Sequence, residues 1–311
     1  MTGTVVIVNP RSAGGKTEKR WPLFREIIHE AYGPFDARFT DAPGSATRLA
    51  REALGAGAEL VVAMGGDGTI NEVVNGFYDG ARAIAPNAAF GVLPAGTGGD
   101  FIKTLGTPRE VREAALELKR ATPRPIDLGR LRFIGHDGAP AVRHFINIAS
   151  FGISGLVDQY VNDSSKALGG TVSFAMATLR AGLKYKNASV RITLDAEPAK
   201  EGRIYNVAVA NGRYFGGGMK VAPDAALDDG LFDVVTLGDF TFADLLLRGL
   251  DIYSGKHLSN PKVTVHRARR VEATVDGEGA AVLLDVDGEQ PGRLPASFEM
   301  VPGGLKVRAG A

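Results

Sequence analysis

The chain lacks cysteine, and its charges are balanced. Its 311 residues include no Cys, and 36 Lys and Arg stand against 35 Asp and Glu. The lack of cysteine excludes disulfides, thiolate nucleophiles and cysteine-ligated zinc, and it suits a reducing compartment. Because neither charge predominates, the molecule has no overall field that would attract nucleic acid, and we expect no nucleic-acid partner.

Long apolar runs are also missing. The run from Val5 to Val8 is too short for the core of a signal peptide and leads directly into Asn9 and Pro10. No stretch reaches the roughly 18 uncharged apolar residues that a membrane-spanning helix needs. We therefore expect a cytoplasmic protein whose membrane contact is at most peripheral, at the inner face.

Apolar and amphipathic segments alternate in the first 122 residues. Strands are predicted near Val5, Ala37, Val61 and Phe90, and helices near Glu26, Leu49, Val73 and Ala115. This βαβα alternation is typical of an α/β domain whose parallel sheet is covered by helices on both faces. Such domains bind ligands at the carboxyl ends of their strands.

The pattern changes after residue 122, where Pro123 and Pro125 form a linker. We expect residues 1–122 to form the first domain and residues 123–311 a β-rich, mostly antiparallel second domain, whose last residues are free to return to the first. Strands are predicted at 126–133, 143–148, 190–194, 204–210, 263–265, 270–275 and 282–286, and helices at 168–183 and 241–253.

The most informative segment is VVAMGGDGTINEVVNG, residues 61–76, which places a glycine-rich turn between an apolar strand and a helix. Apolar spacing predicts that the helix spans 69–78. The three glycines of the turn permit positive φ angles and let phosphates approach the backbone. The N-terminus of the following helix favours an anion.

Asp67 lies within this turn and implies a cation. A carboxylate can reach a polyphosphate favourably only through Mg²⁺ or its bound water. A turn that binds nothing is the alternative, but Asn71 and Glu72 on the first helical turn favour phosphate binding.

Other polar residues follow the remaining strands of the first domain. Asn9 follows the first strand and Thr40 the second. The segment NPRSAGGKT, residues 9–17, is not a Walker A loop, because Pro10 stands where that motif requires glycine and provides no N–H to a phosphate. Nucleotide contact through Asn9, Ser12 and Lys16 and a capped helix start are both open.

A second glycine turn, LPAGTGGDF, follows the fourth strand. Thr97 in this turn is able to donate to a phosphate. Asp100 either binds metal or caps a helix that starts near Phe101.

Two acidic turns in the second domain are candidate sites. Asp228 and Asp229, with nearby carbonyls, suit a hard cation, although DDG is also a strong turn signal. Asp287 and Glu289 lie in DVDGEQ, where a carboxylate would serve as a base toward a hydroxyl acceptor. A plain hairpin turn is the alternative for this segment.

In order and spacing, these motifs resemble the soluble lipid kinases with a diacylglycerol kinase catalytic domain. The resemblance spans nearly the whole chain. It implies an NAD-kinase-like parallel α/β domain followed by a β-rich, antiparallel, sandwich-like domain. It also implies Mg²⁺- and ATP-dependent phosphorylation of a lipid hydroxyl by a peripheral enzyme, with a homodimer as an open expectation.

The resemblance also implies site residues. Asp67, supported by Asp127, matches the acidic residues of the magnesium network, and Glu289 matches the proposed general base. Ala226 and Leu231, through their carbonyls, and Asp229, through its carboxylate, match a structural Mg²⁺ site. The nucleotide-binding set comprises Asn9, Thr40, Gly66, Asp67, Gly68, Thr69, Glu72 and Thr97, to which the motif itself adds Asn71.

Two positions depart from the family pattern. Gly99 replaces a usual asparagine in GTGGDF, and Ala13 stands where glycine is common. Either change is expected to alter nucleotide affinity without removing a proposed catalytic carboxylate.

The acceptor lipid is not specified by these motifs. Diacylglycerol is the first expectation, with phosphatidylglycerol, ceramide or sphingoid bases and a polyketide-like lipid as alternatives. An NAD kinase and a catalytically silent lipid-binding protein are the alternative functions. Residues 168–186, with two lysines at their end, are either a membrane-facing helix or an ordinary core-facing one.

Overall fold

The computed structural model describes residues 3–95, 99–163, 177–178, 180–182, 184–277 and 281–310. The chain forms two compact units, of residues 1–128 with 302–311 and of residues 129–301. For comparison, the sequence placed the boundary after residue 122.

A parallel sheet organises the first unit. Its strands are β1 (Thr4–Val8), β2 (Asp36–Phe39), β3 (Leu60–Gly65), β6 (Ala89–Pro94) and the last residues of β17 (Gly292–Val307). They follow the order β2-β1-β3-β6-β17, and every neighbouring pair is parallel. The short hairpin of β4 (Tyr78–Asp79) and β5 (Arg82–Ala83) precedes β6.

Helices cover both faces of this sheet, as predicted. They are α1 (Lys16–Ala31), α2 (Ser45–Gly55), α3 (Asp67–Gly76), α4 (Asp100–Leu105) and α5 (Val111–Arg120). α1 and α5 share a core with Val6, Val62 and Met64 of the sheet. α2 packs against α3, and both contact β3. Since successive strand residues point to opposite faces, the side chains of Val61 and Ala63 point to the other face of the sheet.

The second unit is built from antiparallel strands. They are β7 (Arg124–Gly135), β8 (Pro140–Phe145), β9 (Ile148–Gly152), β10 (Ala188–Leu194), β11 (Lys200–Ile204), β12 (Asn206–Ala210), β13 (Phe232–Leu237), β14 (Val263–Ala268), β15 (Arg270–Val275) and β16 (Leu284–Val286). One sheet has the order β11-β10-β15-β17, a second has the order β14-β13-β12-β9-β16, and β7 and β8 form a hairpin.

Side chains from both sheets form one core in the second unit. Phe145 stacks on Phe232 with ring centroids 5.5 Å apart, and Phe151 stacks on Phe298 at 5.9 Å. All four rings are fully buried. This packing confirms the expected sandwich-like, antiparallel arrangement.

The second unit contains three α-helices whose whole length lies within the described residues. These are α6 (Ile153–Asp163), α7 (Phe242–Arg248) and α8 (Asp251–Ser254). The predicted helix at 241–253 is therefore two helices, because Gly249 ends α7 and lacks room for a Cβ, which would lie 2.4 Å from the Leu245 carbonyl oxygen.

Two predicted strands are divided in the structure. Residues 143–148 include the end of β8 and the start of β9, because the N–H groups of Ile146 and Asn147 turn toward the Asp287 carboxylate. Residues 204–210 are divided at Tyr205, whose N–H donates to Leu237 and Gly238. Most of the predicted helix at 168–183 lies outside the described residues. Among the residues that are described, no helix is long and apolar enough to span a membrane.

Candidate functional site

The loops that follow β1, β3 and β6 are joined by side-chain hydrogen bonds. Asn9 Nδ2 donates to Thr69 Oγ1 at 2.9 Å, which links the β1 loop to the start of α3. Thr17 Oγ1 donates to the Ala95 carbonyl at 2.9 Å, which links α1 to the loop after β6. The motifs that sequence places at three strand ends therefore lie together at one edge of the first unit's sheet.

Asp67 holds the start of α4. Its Oδ2 accepts the N–H groups of Gly99 at 2.9 Å and Asp100 at 3.1 Å, and its Oδ1 accepts that of Phe101 at 3.2 Å. Three backbone donors and the positive end of a helix dipole stabilise the ionised carboxylate. The sequence predicted a functional role for Asp67 but gave no sign of this structural role.

Glu72 accepts backbone N–H groups at the start of α2, as Asp67 does at the start of α4. Its Oε1 accepts the N–H of Gly44 at 2.9 Å and its Oε2 that of Ala46 at 3.0 Å. Asp67 and Glu72 of α3 thus hold the N-termini of α4 and α2, the helices that follow β6 and β2.

The glycines of the GGDGT turn do not adopt the positive φ angles that the sequence analysis allowed for. None of Gly65, Gly66 and Gly68 has a positive φ. A Cβ on Gly65 would lie 2.5 Å from Thr69 Oγ1, whereas a Cβ on Gly66 would have no neighbour within 4 Å. Packing requires the first glycine, and the second leaves the backbone open to a ligand.

The start of α3 suits an anion. Its N-cap residue, Gly66, provides no side-chain cap to the helix N–H groups. A carboxylate has about four lone-pair positions, and Asp67 uses three, so one remains for a water or a cation. The residues therefore fit a phosphate and a hydrated Mg²⁺.

The other members of the expected nucleotide set differ in position. Thr40 directly follows β2 and is partly exposed, with its N–H bonded to the Val8 carbonyl. Asn71 is fully buried, and its side-chain oxygen accepts from Asn75, so the side chain does not reach the loop surface. Thr97 lies outside the described residues.

Of the two roles considered for Asp100, the structure tests the helix cap. It is the first residue of α4, whose N-cap is Gly99 and which has no side-chain cap from its own N-cap residue. Its Oδ1 is bonded to Lys103 Nζ at 2.7 Å. The capping prediction for Asp100 is therefore wrong, because Asp67 already occupies the donors at this helix start.

Asp127 is buried on β7 within the first unit. Its Oδ1 accepts the N–H of Gly303 at 2.7 Å, so it holds the returning C-terminal segment. Sequence reasoning gave no sign of this contact, which joins positions far apart in the chain.

The two departures from the family pattern have opposite backbone consequences. Ala13 has φ 52°, in the left-handed region that costs a residue with a Cβ about 1–2 kcal/mol. Gly99 has φ 103°, and a Cβ there would lie 2.7 Å from Ile102 Cδ1. The local backbone thus favours the glycine at 99 and would favour one at 13.

In the second unit, Glu289 closes a two-residue turn. The N–H of Val286 donates to the Glu289 carbonyl at 2.8 Å, and the reverse bond measures 3.1 Å. Asp287 and Gly288 between them have φ 51° and 85°, as a type I′ turn requires. Asp287 is held by N–H groups of Ile146, Asn147 and Ile148, and Glu289 is half-buried on this fixed turn.

The expected cation site has one carboxylate, which is already paired. Asp229 forms an ion pair with Arg267, and its Oδ1 accepts the Leu231 N–H at 3.0 Å. Within the described parts of the chain, no group of three or more His, Asp or Glu is arranged to hold a metal. A cation at Ala226, Asp229 and Leu231 would need two carbonyls and would compete with Arg267.

One pair of residues was missed by sequence reasoning. Asp158 on α6 and Asp285 on β16 are buried and hydrogen-bonded to each other. Burial raises the pKa of Asp158 well above its usual value, and the Asp285 charge adds to this; burial also raises the pKa of Asp285. A single aspartate on an amphipathic helix gives no sequence signal of such a partner.

Comparisons with known proteins agree with this fold and these loops. The diacylglycerol kinase catalytic domain model matches residues 3–131, and the YegS C-terminal NAD kinase beta sandwich-like domain model matches residues 147–309. A diacylglycerol kinase of Bacillus subtilis (strain 168) is 30% identical over 94% of this chain and 91% of its own. A Chromohalobacter salexigens protein named "Probable lipid kinase YegS-like" is 34% identical over 76% of this chain and 72% of its own.

Solved structures share the fold. A diacylglycerol kinase from Bacillus anthracis str. Sterne has a TM-score of 0.71 at 21% identity, covering 99% of this chain and 96% of its own. Yeast NADH kinase has a TM-score of 0.56 at 13% identity, covering 99% and 83%. The chain belongs to the diacylglycerol kinase catalytic-domain family. The predicted family, the NAD-kinase-like fold and the assignment as a phosphotransferase are confirmed.

Proposed function

We propose that the protein transfers the γ-phosphoryl group of ATP to a lipid hydroxyl, with diacylglycerol as the first candidate acceptor. The observation that carries this proposal is the uncapped start of α3 beside the open Gly66, joined through Asn9 and Asp67 to two further loops. A nucleotide phosphate is the ligand that such a helix start and its backbone suit.

Each residue has a defined role in this proposal. Asn9, Thr69 and the backbone from Gly66 to Thr69 bind the phosphates, and Asp67 directs its remaining lone pair to a hydrated Mg²⁺, supported by Asp127. Mg²⁺, when bound, neutralises phosphate charge. Glu289 accepts the proton of the attacking hydroxyl as the new O–P bond forms and the bond to ADP breaks.

A lipid acceptor requires contact with a membrane, and one surface of the second unit supports this. Leu247 and Leu250 are 84% and 82% exposed and Tyr253 is half-exposed. In sequence, Arg248 lies between the two leucines and Lys256 follows Tyr253, and neither takes part in the ion pairs found among the described residues. Exposed apolar side chains bordered by cations suit an anionic lipid surface. The homodimer implied by the resemblance stays a prediction.

Transfer of labelled phosphate tests the function directly. Mg²⁺-ATP is offered with a panel of lipids in mixed micelles, with NAD as a soluble acceptor and the Asp67→Asn variant as the blank. We expect labelled lipid, and the labelled species names the acceptor. Labelled NAD would instead make the protein an NAD kinase, and no transfer to any acceptor would favour a lipid-binding protein.

A further inference from the structure

Asp158 and Asp285 form a buried pair of carboxyl groups, and their contact determines how many protons the pair holds. Asp158 is 9% exposed and Asp285 is 5% exposed, and their carboxyl groups are hydrogen-bonded to each other. Two carboxylates in contact cannot both be ionised in a buried position, so the pair holds one proton at neutral pH.

The partners of Asp285 favour its ionised form. Its Oδ1 accepts the N–H of Gly288 at 3.0 Å, and its Oδ2 accepts the Ser150 hydroxyl at 3.2 Å. Ser150 is in turn bonded to Ser154 Oγ at 2.7 Å, which fixes its hydroxyl group. A carboxyl group that accepts donors on both oxygens is stabilised as the anion.

The surroundings of Asp158 favour its neutral form. Its Oδ2 is buried and accepts no hydrogen bond from a donor of the described residues. An ionised Asp158 would leave negative charge on an oxygen that no such donor stabilises, whereas the neutral acid carries no charge there. The proton is therefore on Asp158, which donates to Asp285.

This pair also acts on the proposed general base. Gly288, which Asp285 holds, directly precedes Glu289 in the turn. The negative charge of Glu289 raises the pKa of Asp158, and that of Asp287 raises the pKa of Asp285, so the four carboxyl groups of α6, β16 and the turn interact. Asp287 is already neutralised in part by three N–H donors.

We propose that Asp158 and Asp285 are positioning residues that share one proton, held on Asp158, so that ionised Asp285 fixes the turn that carries Glu289. This proposal rests on the role of Glu289 in the proposed function. Its chemistry involves no bond to substrate, only the placement of a proton and a charge.

Three variants test the charge assignment through kcat. Asp158→Ala removes the donor to Asp285 and should lower kcat about tenfold, and Asp158→Asn, whose amide again offers a donor and a carbonyl, should rescue most of that loss. Asp285→Asn should lower kcat by about tenfold or more with the KM for ATP nearly unchanged.

Asp233→Asn is the matched control, since Asp233 is another buried aspartate of the second unit whose pKa burial raises. It should leave kcat near the wild-type value. Equal losses of kcat in Asp158→Asn and Asp285→Asn would overturn the proposal.

Infrared spectroscopy separates this proposal from the proposed function. Wild-type protein at neutral pH should show the carbonyl band of a protonated carboxylic acid, and Asp158→Asn should abolish it without any substrate present. If no lipid is phosphorylated, the proposed function fails while the spectrum still locates the proton. A band that persists in Asp158→Asn would place the proton elsewhere and refute the assignment.

Discussion

Single carboxylates hold backbone N–H groups at several places in this protein. Asp67 holds the start of α4, Glu72 the start of α2, and Asp287 the turn between β8 and β9. In each case a negative charge satisfies donors that would otherwise lack partners. Two of these residues also belong to the proposed nucleotide set, so structural and functional contributions must be measured apart.

The variant Asp67→Asn separates these contributions. Its amide cannot accept from three N–H groups, so we expect a loss of about 1–2 kcal/mol in the free energy of unfolding. We also expect kcat to fall by about 100-fold or more, because the phosphate charge loses its link to Mg²⁺. Denaturant titration and phosphate transfer measure the two effects.

The control for Asp67→Asn is Ser45→Ala. Ser45 Oγ accepts the Asp41 N–H at the start of α2 and donates to Ala42, outside the proposed metal site. This variant should lose comparable stability but keep kcat within about twofold. If Asp67→Asn behaved in the same way, Asp67 would have only the structural role.

Competition between Arg267 and a cation gives a second prediction. Because Arg267 pairs with the only carboxylate of the expected metal set, Arg267→Met should strengthen the stabilisation that Mg²⁺ gives, and Asp229→Asn should abolish it. The midpoint of thermal unfolding is measured across a Mg²⁺ titration. Arg191→Met, which removes an exposed ion pair with Glu201, serves as the control. A response shared by all three variants would argue against a cation at Asp229.

For single residues, the sequence predicts those that lie inside recognisable turns but does not predict their hydrogen-bond partners in distant segments. Asp67 and Glu289 stand out because GGDGT and DGE have local signatures. The bonds from Asp127 to Gly303 and from Asp158 to Asp285 join distant segments, and only the folded chain brings them together. The same holds for Asn71, whose position on the motif suggested a ligand but whose helix face is buried.

Among the elements, strands with continuous apolar runs were predicted best. β1, β3 and β6 are buried along almost their whole length, which makes them easy to recognise. β13 and β17 were missed, the latter because Pro295, Pro302, Gly303 and Gly304 interrupt its pattern. Where two strands follow each other closely, as β11 and β12 do, the apolar pattern does not show the break.

The segment of α7 and α8 carries a prediction about membrane contact. Replacing Leu247 and Leu250 together by Asp should weaken sedimentation with phosphatidylglycerol vesicles by about tenfold or more, because two exposed apolar side chains no longer enter the lipid. Vesicles of phosphatidylcholine should bind more weakly than anionic ones, owing to Arg248 and Lys256.

Val142→Asp is the control for this experiment, since Val142 is another exposed apolar residue of the second unit, on β8. It should leave vesicle binding near the wild-type level. If the Leu variant instead bound vesicles normally and lost a dimer in light scattering, the surface would be an interface between two copies.

On the scale of the whole molecule, the division into two units depends on the path of the C-terminus. Residues 302–311 return to the first unit, where Lys306 and Val307 pair with β6 and Gly304 accepts a hydrogen bond from the Tyr78 hydroxyl. Sequence pattern predicts the change from alternating to strand-rich segments. It leaves this return open, because a strand with apolar alternation carries no mark of the sheet it joins.

Stability should depend on pH through groups of the second unit that act in opposite directions. Burial and the Arg130 charge lower the pKa of His144 to about 4. The neutral ring is favoured in the fold, so its stabilisation is complete above the unfolded pKa of 6.5 and is lost as pH falls through about 4. Measured against His144→Gln, the wild type should therefore gain up to about 3 kcal/mol from pH 4 to 6.5.

The protonated Asp158 has the opposite sign. Its folded pKa is raised well above 3.8, so its contribution is complete below that value and is lost as pH rises through the raised pKa. Measured against Asp158→Asn, the wild type should lose stability with rising pH, at a slope of up to about 1.4 kcal/mol per pH unit. Urea titrations from pH 4 to 8 provide both difference curves, and the double variant should show their sum if the two sites are independent. A wild-type curve that rises against Asp158→Asn over this range would mean that Asp158 is ionised in the folded protein.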